Sequence, residues 1–479
     1  MNMKKILFPL LTVTFLLCSC STPKQEESSI SSDVYVPSSV TSEEPSVVSS
    51  TSSSQSSSQA VDNSANPMNE PYIARQYYLN HIGDIYSVWK QYRGDGQTIA
   101  VIDEGFESEH EDFTFKDGTS KVSPDSASFV TTGNNTSTSV GIKNVKNGEA
   151  SHGTFCAGVA AAGINGKGVV GIAPNAKLLL LKTDLKPKSI AEAFHYAADH
   201  GATVVSISIG SYYNYNGDLV NDGSDLGTVF DEPVKYCYDK GIPVISAGGN
   251  GGLDNQPTEY TFPGCVDNVI GVGGLAANSS SDIWSGSSYN SSAQYRSIDV
   301  FAPAENMYGC CNYGGKKYDG GWNGTSFAAP QVAGVAALYF QKNPNATARD
   351  FENALYASCH KIDNSGHYGY GRVDVGKLMG ITNNDSVEVK IKVNWSNVYV
   401  YAWNLAKNQE QKAWPGTKLT KQNNEYTISL KPSEFDSIVI NDGGSNKSAD
   451  LYVSSFIYEK SYSLTSTTKE NDYLIGQYV

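Results

Sequence analysis

Three short segments of the chain contain the residue types of a nucleophilic catalytic triad. Asp103 follows the apolar run Ala-Val-Ile, His152 begins the segment His-Gly-Thr, and Ser326 lies within Gly-Thr-Ser-Phe-Ala-Ala-Pro. A serine hydroxyl is a poor nucleophile until an imidazole removes its proton, and the imidazole needs a carboxylate to fix its tautomer. The three residues therefore predict covalent catalysis in which Ser326 is the nucleophile, His152 is the general base and Asp103 orients His152.

The elements that must position these residues are predicted from hydrophobic periodicity. Short apolar runs alternate with helical patterns, which predicts an α/β fold with a parallel sheet covered by helices on both faces. Asp103 directly follows the first run, at the carboxyl end of a strand, where sites form in open parallel sheets. The predicted strands are Ile99–Ile102, Lys177–Leu181, Val204–Ile209 and Val244–Ala247, and the predicted helices between them include Ser189–His200 and Val229–Lys240.

His152 and Ser326 each stand just before a predicted helix. The stretch Cys156–Ala162 is apolar and rich in small residues, and Phe327–Phe340 has helical periodicity. Unpaired backbone N–H groups and the positive end of the dipole at a helix start stabilise negative charge. We therefore expect both side chains to be mounted rigidly, and we expect the start of the second helix to stabilise charge that develops next to Ser326.

Residues 68–382, which contain these motifs, resemble the subtilisin family of serine peptidases. The resemblance is carried by Ala-Val-Ile-Asp-Glu-Gly at 100–105, His-Gly-Thr-Phe-Cys-Ala-Gly at 152–158 and Gly-Thr-Ser-Phe-Ala-Ala-Pro at 324–330, in the family's order. It implies a subtilisin-like parallel sheet sandwiched by helices. It also implies hydrolysis of protein or peptide substrates through an acyl-enzyme, with no cofactor required for the chemistry.

The same resemblance implies roles for further residues. The segment that ends in Gly-Gly-Asn at Asn250 is similar to the family's oxyanion-hole segment, so Asn250 is expected to donate its side-chain amide to the oxyanion. Ser208 and Gly210 fall in a segment similar to the strand that pairs with extended substrate. Asp112 and Asn165 have the offsets of two family calcium ligands, which implies structural Ca²⁺, although a solvated loop acid and a turn asparagine would give the same pattern.

Three residues depart from the family's pattern. Glu104 replaces a small residue after the catalytic aspartate and is expected to raise the basicity of His152. Phe155 replaces a second histidine that often follows His-Gly-Thr. We expect Cys156 to be a small buried residue without a nucleophilic role.

Counts over the whole chain limit its partners and cross-links. It has 35 basic and 49 acidic residues, which give a formal net charge of −14. Nucleic acid is therefore not an expected partner, because no positive field is available to displace counterions from phosphates. The cysteines after residue 20 lack metal-ligand spacing and allow at most one or two disulfides. They are Cys156, Cys237, Cys265, Cys310, Cys311 and Cys359.

The first twenty residues predict export. Lys4 and Lys5 precede the apolar run Ile6–Cys18, which is too short to span a bilayer. The run ends in Leu-Cys-Ser-Cys, which resembles a bacterial lipoprotein signal peptide at residues 1–20 with Cys20 as the lipidated residue. A plain secretory signal is the alternative. Lipid on Cys20 would hold the protein at the membrane, on the outer face of the bacterial cell.

A serine-rich segment follows the predicted signal peptide. Residues 21–67 contain too few apolar side chains to form a core, so they predict a disordered stalk. Exported relatives in the subtilisin family usually have an inhibitory prodomain before the catalytic region, whereas here only the stalk precedes it. We therefore expect the catalytic region to fold without a cleaved chaperone segment.

Residues 387–479 show a different pattern, typical of a small all-β sandwich. Around residue 400, aliphatic and aromatic side chains alternate, so that Tyr401 and Trp403 share one face of a strand. With Trp414 they resemble the aromatic residues of starch-binding modules, specifically carbohydrate-binding module family twenty-six. These three residues are therefore predicted to stack on starch or a related α-glucan. The alternative is that they belong to the hydrophobic core.

The sequence leaves two functional hypotheses open. The first is a surface-anchored serine endopeptidase with an α-glucan-binding module. The second is an inactive glucan-binding lipoprotein that keeps the peptidase fold. The residues of the triad are common to both hypotheses, so the motifs alone do not distinguish an active site from an inactive one.

Overall fold

The computed structural model describes residues 65–147, 151–212, 226–252, 261–277, 282–290, 297–404, 409–470 and 473–479. Residues 1–64, which include the predicted signal peptide, Cys20 and nearly all of the predicted stalk, lie outside this part of the chain. Within it, no helix is both long enough and apolar enough to cross a membrane.

Strand β1 (Thr98–Asp103) shows how the sequence builds the central sheet. Ile99 and Val101 face one hydrophobic core, and Ala100 and Ile102 face another core on the opposite side. Side chains alternate across a strand, and a strand buried on both faces needs apolar residues at every position. The continuous apolar run before Asp103 is the consequence.

In the part of the chain that the structure describes, nine strands form the central sheet, in the order β13-β10-β9-β7-β5-β1-β4-β2-β3. Every neighbouring pair is parallel except β2 and β3, which form an antiparallel edge. The four predicted strands are therefore adjacent, as β7, β5, β1 and β4. The strands of this region after β1 are β2 (Ala127–Thr132), β3 (Asn135–Val140), β4 (Lys177–Thr183), β5 (Val204–Ile207), β6 (Ser211–Tyr212), β7 (Val244–Ala247), β8 (Thr261–Phe262), β9 (Val269–Leu275), β10 (Val300–Pro303), β11 (Met307–Tyr313), β12 (Lys316–Trp322) and β13 (Gly371–Arg372).

Helices cover both faces of this sheet, which confirms the predicted α/β class. The side chains of α2 and α5 contribute to the core on one face, and those of α3 and α4 to the core on the other. The predicted helices are confirmed, with ends that differ by a few residues. The helices are α1 (Ile85–Val88), α2 (Ser151–Ala161), α3 (Pro187–Asp199), α4 (Leu226–Asp239), α5 (Thr325–Lys342), α6 (Ala348–Ser358) and α7 (Val375–Leu378).

The C-terminal region is all-β, as predicted, and has its own core between two sheets. One sheet has the order β18-β19-β14-β22-β23, and in the other β15 pairs with β16, β17 and β20, and β20 pairs with β21. All pairs are antiparallel except β14 and β22. The strands are β14 (Val387–Lys392), β15 (Tyr399–Asn404), β16 (Gln409–Glu410), β17 (Thr417–Lys418), β18 (Lys421–Gln422), β19 (Glu425–Leu430), β20 (Ser437–Asn441), β21 (Leu451–Tyr452), β22 (Ser461–Glu470) and β23 (Tyr473–Tyr478).

The all-β region packs against the segment that precedes β1, and this junction shares a core with the α/β region. Tyr458 is buried there, among the residues of the α/β core. Its hydroxyl donates to the carbonyl of Tyr86 at 3.3 Å, and the ammonium of Lys90 lies 4.3 Å from the centre of its ring. The amide of Asn66 donates to the Tyr458 carbonyl at 3.2 Å.

Polar contacts extend the junction on both sides of Tyr458. The hydroxyl of Ser454 donates to the buried carboxylate of Asp84, which also caps α1 by accepting from the Ser87 N–H. The amide of Asn80 donates to the Asp450 carbonyl at 3.0 Å. The two regions therefore pack together along this face, while the all-β region keeps its own core.

We predict that Tyr458→Ala lowers the free energy of unfolding by about 3 kcal/mol, because it leaves a cavity in a shared core. Thermal and urea denaturation of the full chain measure the loss. Tyr458→Phe keeps the ring and removes the hydroxyl, including its hydrogen bond to Tyr86, so it should cost about 1 kcal/mol. Tyr313→Ala, at a tyrosine that is 52% exposed, is the matched control. Wild-type stability of Tyr458→Ala would show that the junction does not form in solution.

Candidate active site

Asp103 is the last residue of β1 and is fully buried. Its carboxylate forms a hydrogen bond with His152. The two carboxylate oxygens lie 3.0 and 2.9 Å from His152 Nδ1. The N–H of Glu104 donates to the same carboxylate at 2.8 Å. Because Asp103 accepts the Nδ1 proton, Nε2 is the ring atom left for proton transfer. The pairing predicted from sequence is therefore present.

His152 is the second residue of α2, and its side chain is 30% exposed. Its ring centre lies 5.8 Å from that of Phe327. Burial lowers the pKa of His152, but the charge and hydrogen bond of Asp103 and the charge of Glu104 outweigh it, so the pKa is raised. The charge of Glu104 acts in the direction expected from the sequence.

Ser326 lies at the start of α5. It is hydrogen-bonded to Ser208, the residue that follows β5. Its backbone carbonyl accepts from the Ser208 hydroxyl at 2.8 Å and from the Cys156 thiol at 3.3 Å. The Ser326 hydroxyl donates to the Ser208 carbonyl at 3.1 Å. Ser208 is thus beside the nucleophile, whereas Gly210 lies two residues further on and is exposed. Their role in substrate pairing stays a prediction.

Asn250 follows β7 and turns its amide toward the start of α5. Its side-chain oxygen accepts from the backbone N–H and from the hydroxyl of Thr325, both at 2.9 Å. These two bonds fix which end of the amide is the oxygen. The Nδ2 atom lies 3.7 Å from where a Cβ on Gly324 would be. A side chain at Gly324 would crowd the space in front of this donor.

Three aromatic side chains pack together beside His152, and the sequence did not predict that they meet. Phe155 stacks on Trp322 at 5.3 Å between ring centres, and its ring is 4.6 Å from that of Phe327. Phe155 was identified only as a departure from the family's pattern. Trp322 ends β12, far along the chain, and no local pattern connects it to Phe155.

Cys156 is fully buried behind Ser326. Burial raises the pKa of its thiol well above the usual range, and the charge of Asp103 raises it further. The thiol therefore stays protonated and donates to the Ser326 carbonyl. This confirms the prediction of a small buried residue.

Of the two predicted calcium ligands, Asp112 offers an oxygen that suits a cation. It is fully buried, and its Oδ1 has no hydrogen-bond partner within the described residues, whereas Oδ2 accepts from the Val169 N–H at 2.9 Å. Burial raises the pKa of Asp112 to about 7, and the charge of Glu70 contributes.

The loop with Asn165 is arranged differently. The NH₂ group of Asn165 donates to the carbonyls of Glu111 and Thr114, at 3.1 and 3.3 Å. Its oxygen accepts from the Lys167 N–H, so the amide must turn over before Asn165 can bind a cation. Calcium at this loop stays a prediction.

The N–H groups of the same loop point to a carboxylate. Gly166, Lys167 and Gly168 donate to Glu70 at 2.6, 3.0 and 3.3 Å. Consecutive N–H groups in a turn form a concave site for an anion. In this arrangement the anion bound by the loop is the Glu70 carboxylate, which belongs to the chain itself.

The aromatic face predicted on the all-β region is present. Val400 and Ala402 of β15 are buried, while Tyr401 and Trp403 lie on the other face, with ring centres 5.5 Å apart. Trp414 is 50% exposed and lies 5.6 Å from Tyr401. The alternative that these three residues are core is therefore wrong.

Comparisons with known proteins agree with both regions. Residues 94–371 match the Subtilase family, Peptidase S8, and residues 387–452 match Starch-binding module 26. Subtilisin DY of Bacillus licheniformis is 30% identical over 289 residues, which cover 59% of this chain and 91% of that protein. Thermitase of Thermoactinomyces vulgaris is 32% identical over 320 residues, which cover 65% of this chain and 98% of that protein.

Solved structures share the fold of the α/β region. A protease from Pseudoalteromonas arctica has a TM-score of 0.53 at 23% identity, covering 66% of this chain and 99% of its own. The epidermin leader peptide processing serine protease EpiP from Staphylococcus aureus has a TM-score of 0.53 at 24% identity, covering 65% of this chain and 81% of its own.

We predict that Glu104→Gln lowers the pKa of His152, because it removes a negative charge that favours the imidazolium. Histidine NMR titration of the full chain measures the change. Glu104 is exposed, so the difference between wild type and variant should shrink in about 1 M salt. Glu192→Gln, at an exposed residue of α3, should leave the titration unchanged. An unaltered His152 titration in Glu104→Gln would contradict the prediction.

Proposed function

This chain belongs to the subtilase family of serine peptidases, and we propose that it is an active endopeptidase that hydrolyses peptide bonds with Ser326, His152 and Asp103. The observation that carries the proposal is the bond from His152 Nδ1 to the buried Asp103 carboxylate. That bond assigns the tautomer in which Nε2 can accept a proton. The family needs no cofactor for this chemistry.

Acylation begins when the Ser326 hydroxyl turns from the Ser208 carbonyl toward His152. Nε2 of His152 takes the hydroxyl proton as Oγ bonds to the substrate carbonyl carbon, and the carbonyl electron pair moves onto its oxygen. The amide of Asn250 and the N–H of Ser326 donate to that oxyanion. Losing a side-chain donor of this kind costs about 3 kcal/mol of transition-state stabilisation.

The intermediate then collapses to an acyl-enzyme. His152 gives its proton to the leaving amine as the carbon–nitrogen bond breaks. In deacylation, water gives a proton to His152 and attacks the acyl carbon, and the proton returns to Ser326 when the acid leaves. Asp103 stays ionised throughout and stabilises the imidazolium. Ser208 and Gly210 extend the site by pairing with the substrate backbone.

We predict that a fluorophosphonate probe labels the full-length protein at Ser326, since only an activated serine reacts. Ser326→Ala should lose the label and peptidase activity together. Ser365→Ala, at an exposed loop serine, should keep both. An unlabelled wild-type protein that still binds starch would favour the alternative, an inactive glucan-binding protein on a peptidase fold.

The all-β region contains a starch-binding module, and we propose that Tyr401, Trp403 and Trp414 stack on the sugar rings of an α-glucan. Their rings form one cluster on a face that is not buried, and aromatic faces suit the apolar faces of sugars.

We predict that Trp414→Ala weakens starch binding by about tenfold, which corresponds to about 1.4 kcal/mol. The change removes the most exposed ring of the cluster. Co-sedimentation with insoluble starch measures it, in a Ser326→Ala background that prevents self-digestion. Tyr313→Ala removes an equally exposed ring elsewhere and should bind normally. Equal binding by all variants would place the glucan site elsewhere.

We also propose that lipid on Cys20 anchors the enzyme at the outer face of the cell membrane. The basic residues Lys4 and Lys5, the apolar run and the Leu-Cys-Ser-Cys segment support this. Metabolic labelling with a fatty acid should mark the wild-type protein and not Cys20→Ser. Equal labelling of the two proteins would contradict it.

A further inference from the structure

The backbone carbonyl of Ser326 cannot receive the hydrogen bond that an α-helix ordinarily supplies. Ser326 is the second residue of α5, and the residue four positions later is Pro330. A helix carbonyl accepts from the N–H four residues later, and proline has no N–H. Ser326 is also buried, so a carbonyl without a partner would be costly. Its donors must therefore come from outside α5.

Two side chains take the place of the missing N–H. The Ser208 hydroxyl donates to the Ser326 carbonyl at 2.8 Å, and the Cys156 thiol donates to it at 3.3 Å. A carbonyl oxygen has two lone pairs, so two donors satisfy it. Burial raises the pKa of Cys156 well above its usual range, so the thiol keeps the proton that makes this bond.

Cys156 is placed to connect the general base with the nucleophile. It lies four residues after His152 in α2, so the two side chains share a face of that helix. Its Sγ lies within 4.8 Å of a ring nitrogen of His152 and of a carboxylate oxygen of Asp103. Through its bond to the Ser326 carbonyl, the same thiol reaches the first turn of α5. It thus joins the helix that carries the base to the helix that carries the nucleophile.

We propose that Cys156 is a positioning residue, whose thiol fixes the peptide group of Ser326 and thereby the approach of the Ser326 hydroxyl to His152. This inference rests on the proposed peptidase activity of the triad. Cys156 takes no part in proton transfer or bond formation. Its effect is geometric, because a small displacement of a reacting group slows the chemical step far more than it weakens substrate binding.

Steady-state kinetics of the full-length protein on a peptide substrate test the proposal. Cys156→Ala and Cys156→Val both remove the donor, and valine also fills the space of the thiol. Each variant should lower kcat by about fivefold, the equivalent of one hydrogen bond, and change KM little. Cys156→Ser keeps a donor, and its kcat should stay within about twofold of wild type.

A second buried thiol provides the matched control. Cys237 donates to the Phe194 carbonyl at 3.4 Å in the other core of the α/β region. Cys237→Ala removes a thiol-to-carbonyl bond of the same kind, far from the triad, and should have the wild-type kcat.

The two donors to the Ser326 carbonyl should also depend on each other. Either Ser208→Ala or Cys156→Ala leaves the carbonyl with one partner, whereas the double variant leaves it with neither. The loss of kcat in the double variant should therefore exceed the product of the two single losses. The backbone of residue 208, which is proposed to pair with substrate, is unchanged in Ser208→Ala.

Several outcomes would overturn the inference. Wild-type kcat in Cys156→Ala or Cys156→Val would show that the thiol does not position Ser326, and either variant decides if the other does not fold. Equal losses in Cys156→Ser and Cys156→Ala would assign the effect to the lost volume of sulfur, since both side chains are smaller than cysteine. A change confined to KM would assign it to substrate binding. An inactive wild-type protein would overturn the proposed activity and this inference together, whereas the other outcomes leave the activity standing.

Discussion

The hydrogen bond between His152 Nδ1 and the Asp103 carboxylate is the constraint on which the site depends. Asp103 is fully buried, so its charge needs compensation inside the protein. The imidazole supplies it, and the same contact fixes the histidine tautomer. A parallel sheet makes the contact possible, because it brings the carboxyl ends of β1, β5 and β7 to one edge. Asp103 is the last residue of β1, and Ser208 and Asn250 follow β5 and β7.

Several buried polar groups of the α/β region obtain partners from segments far away in sequence. Glu70, before the first strand, is held by three N–H groups of the loop after α2. The ammonium of Lys121 lies among backbone carbonyls. Within the described residues, the buried side-chain atoms without a hydrogen-bond partner include Asp112 Oδ1, Ser206 Oγ and Gln331 Oε1.

The junction changes how the C-terminal region is understood. A tethered binding module would contact the enzyme little and would change orientation freely. Here the Tyr458 ring is part of the α/β core, and Ser454 binds the carboxylate that caps α1. The module therefore stabilises the segment that leads into β1. The aromatic cluster of Tyr401, Trp403 and Trp414 therefore lies on a region that packs against the α/β region.

The sequence by itself determined the fold class, the strand before Asp103, the helices after His152 and Ser326, and the aromatic face of β15. These features follow from periodicity and from short motifs, which are local. Only the tertiary structure decided which groups meet across the chain. Ser208 and Ser326 are 118 positions apart, Asp112 and Cys310 are 198 apart, and Tyr86 and Tyr458 are 372 apart. Contacts over such separations depend on packing, and packing leaves no periodic pattern in the sequence.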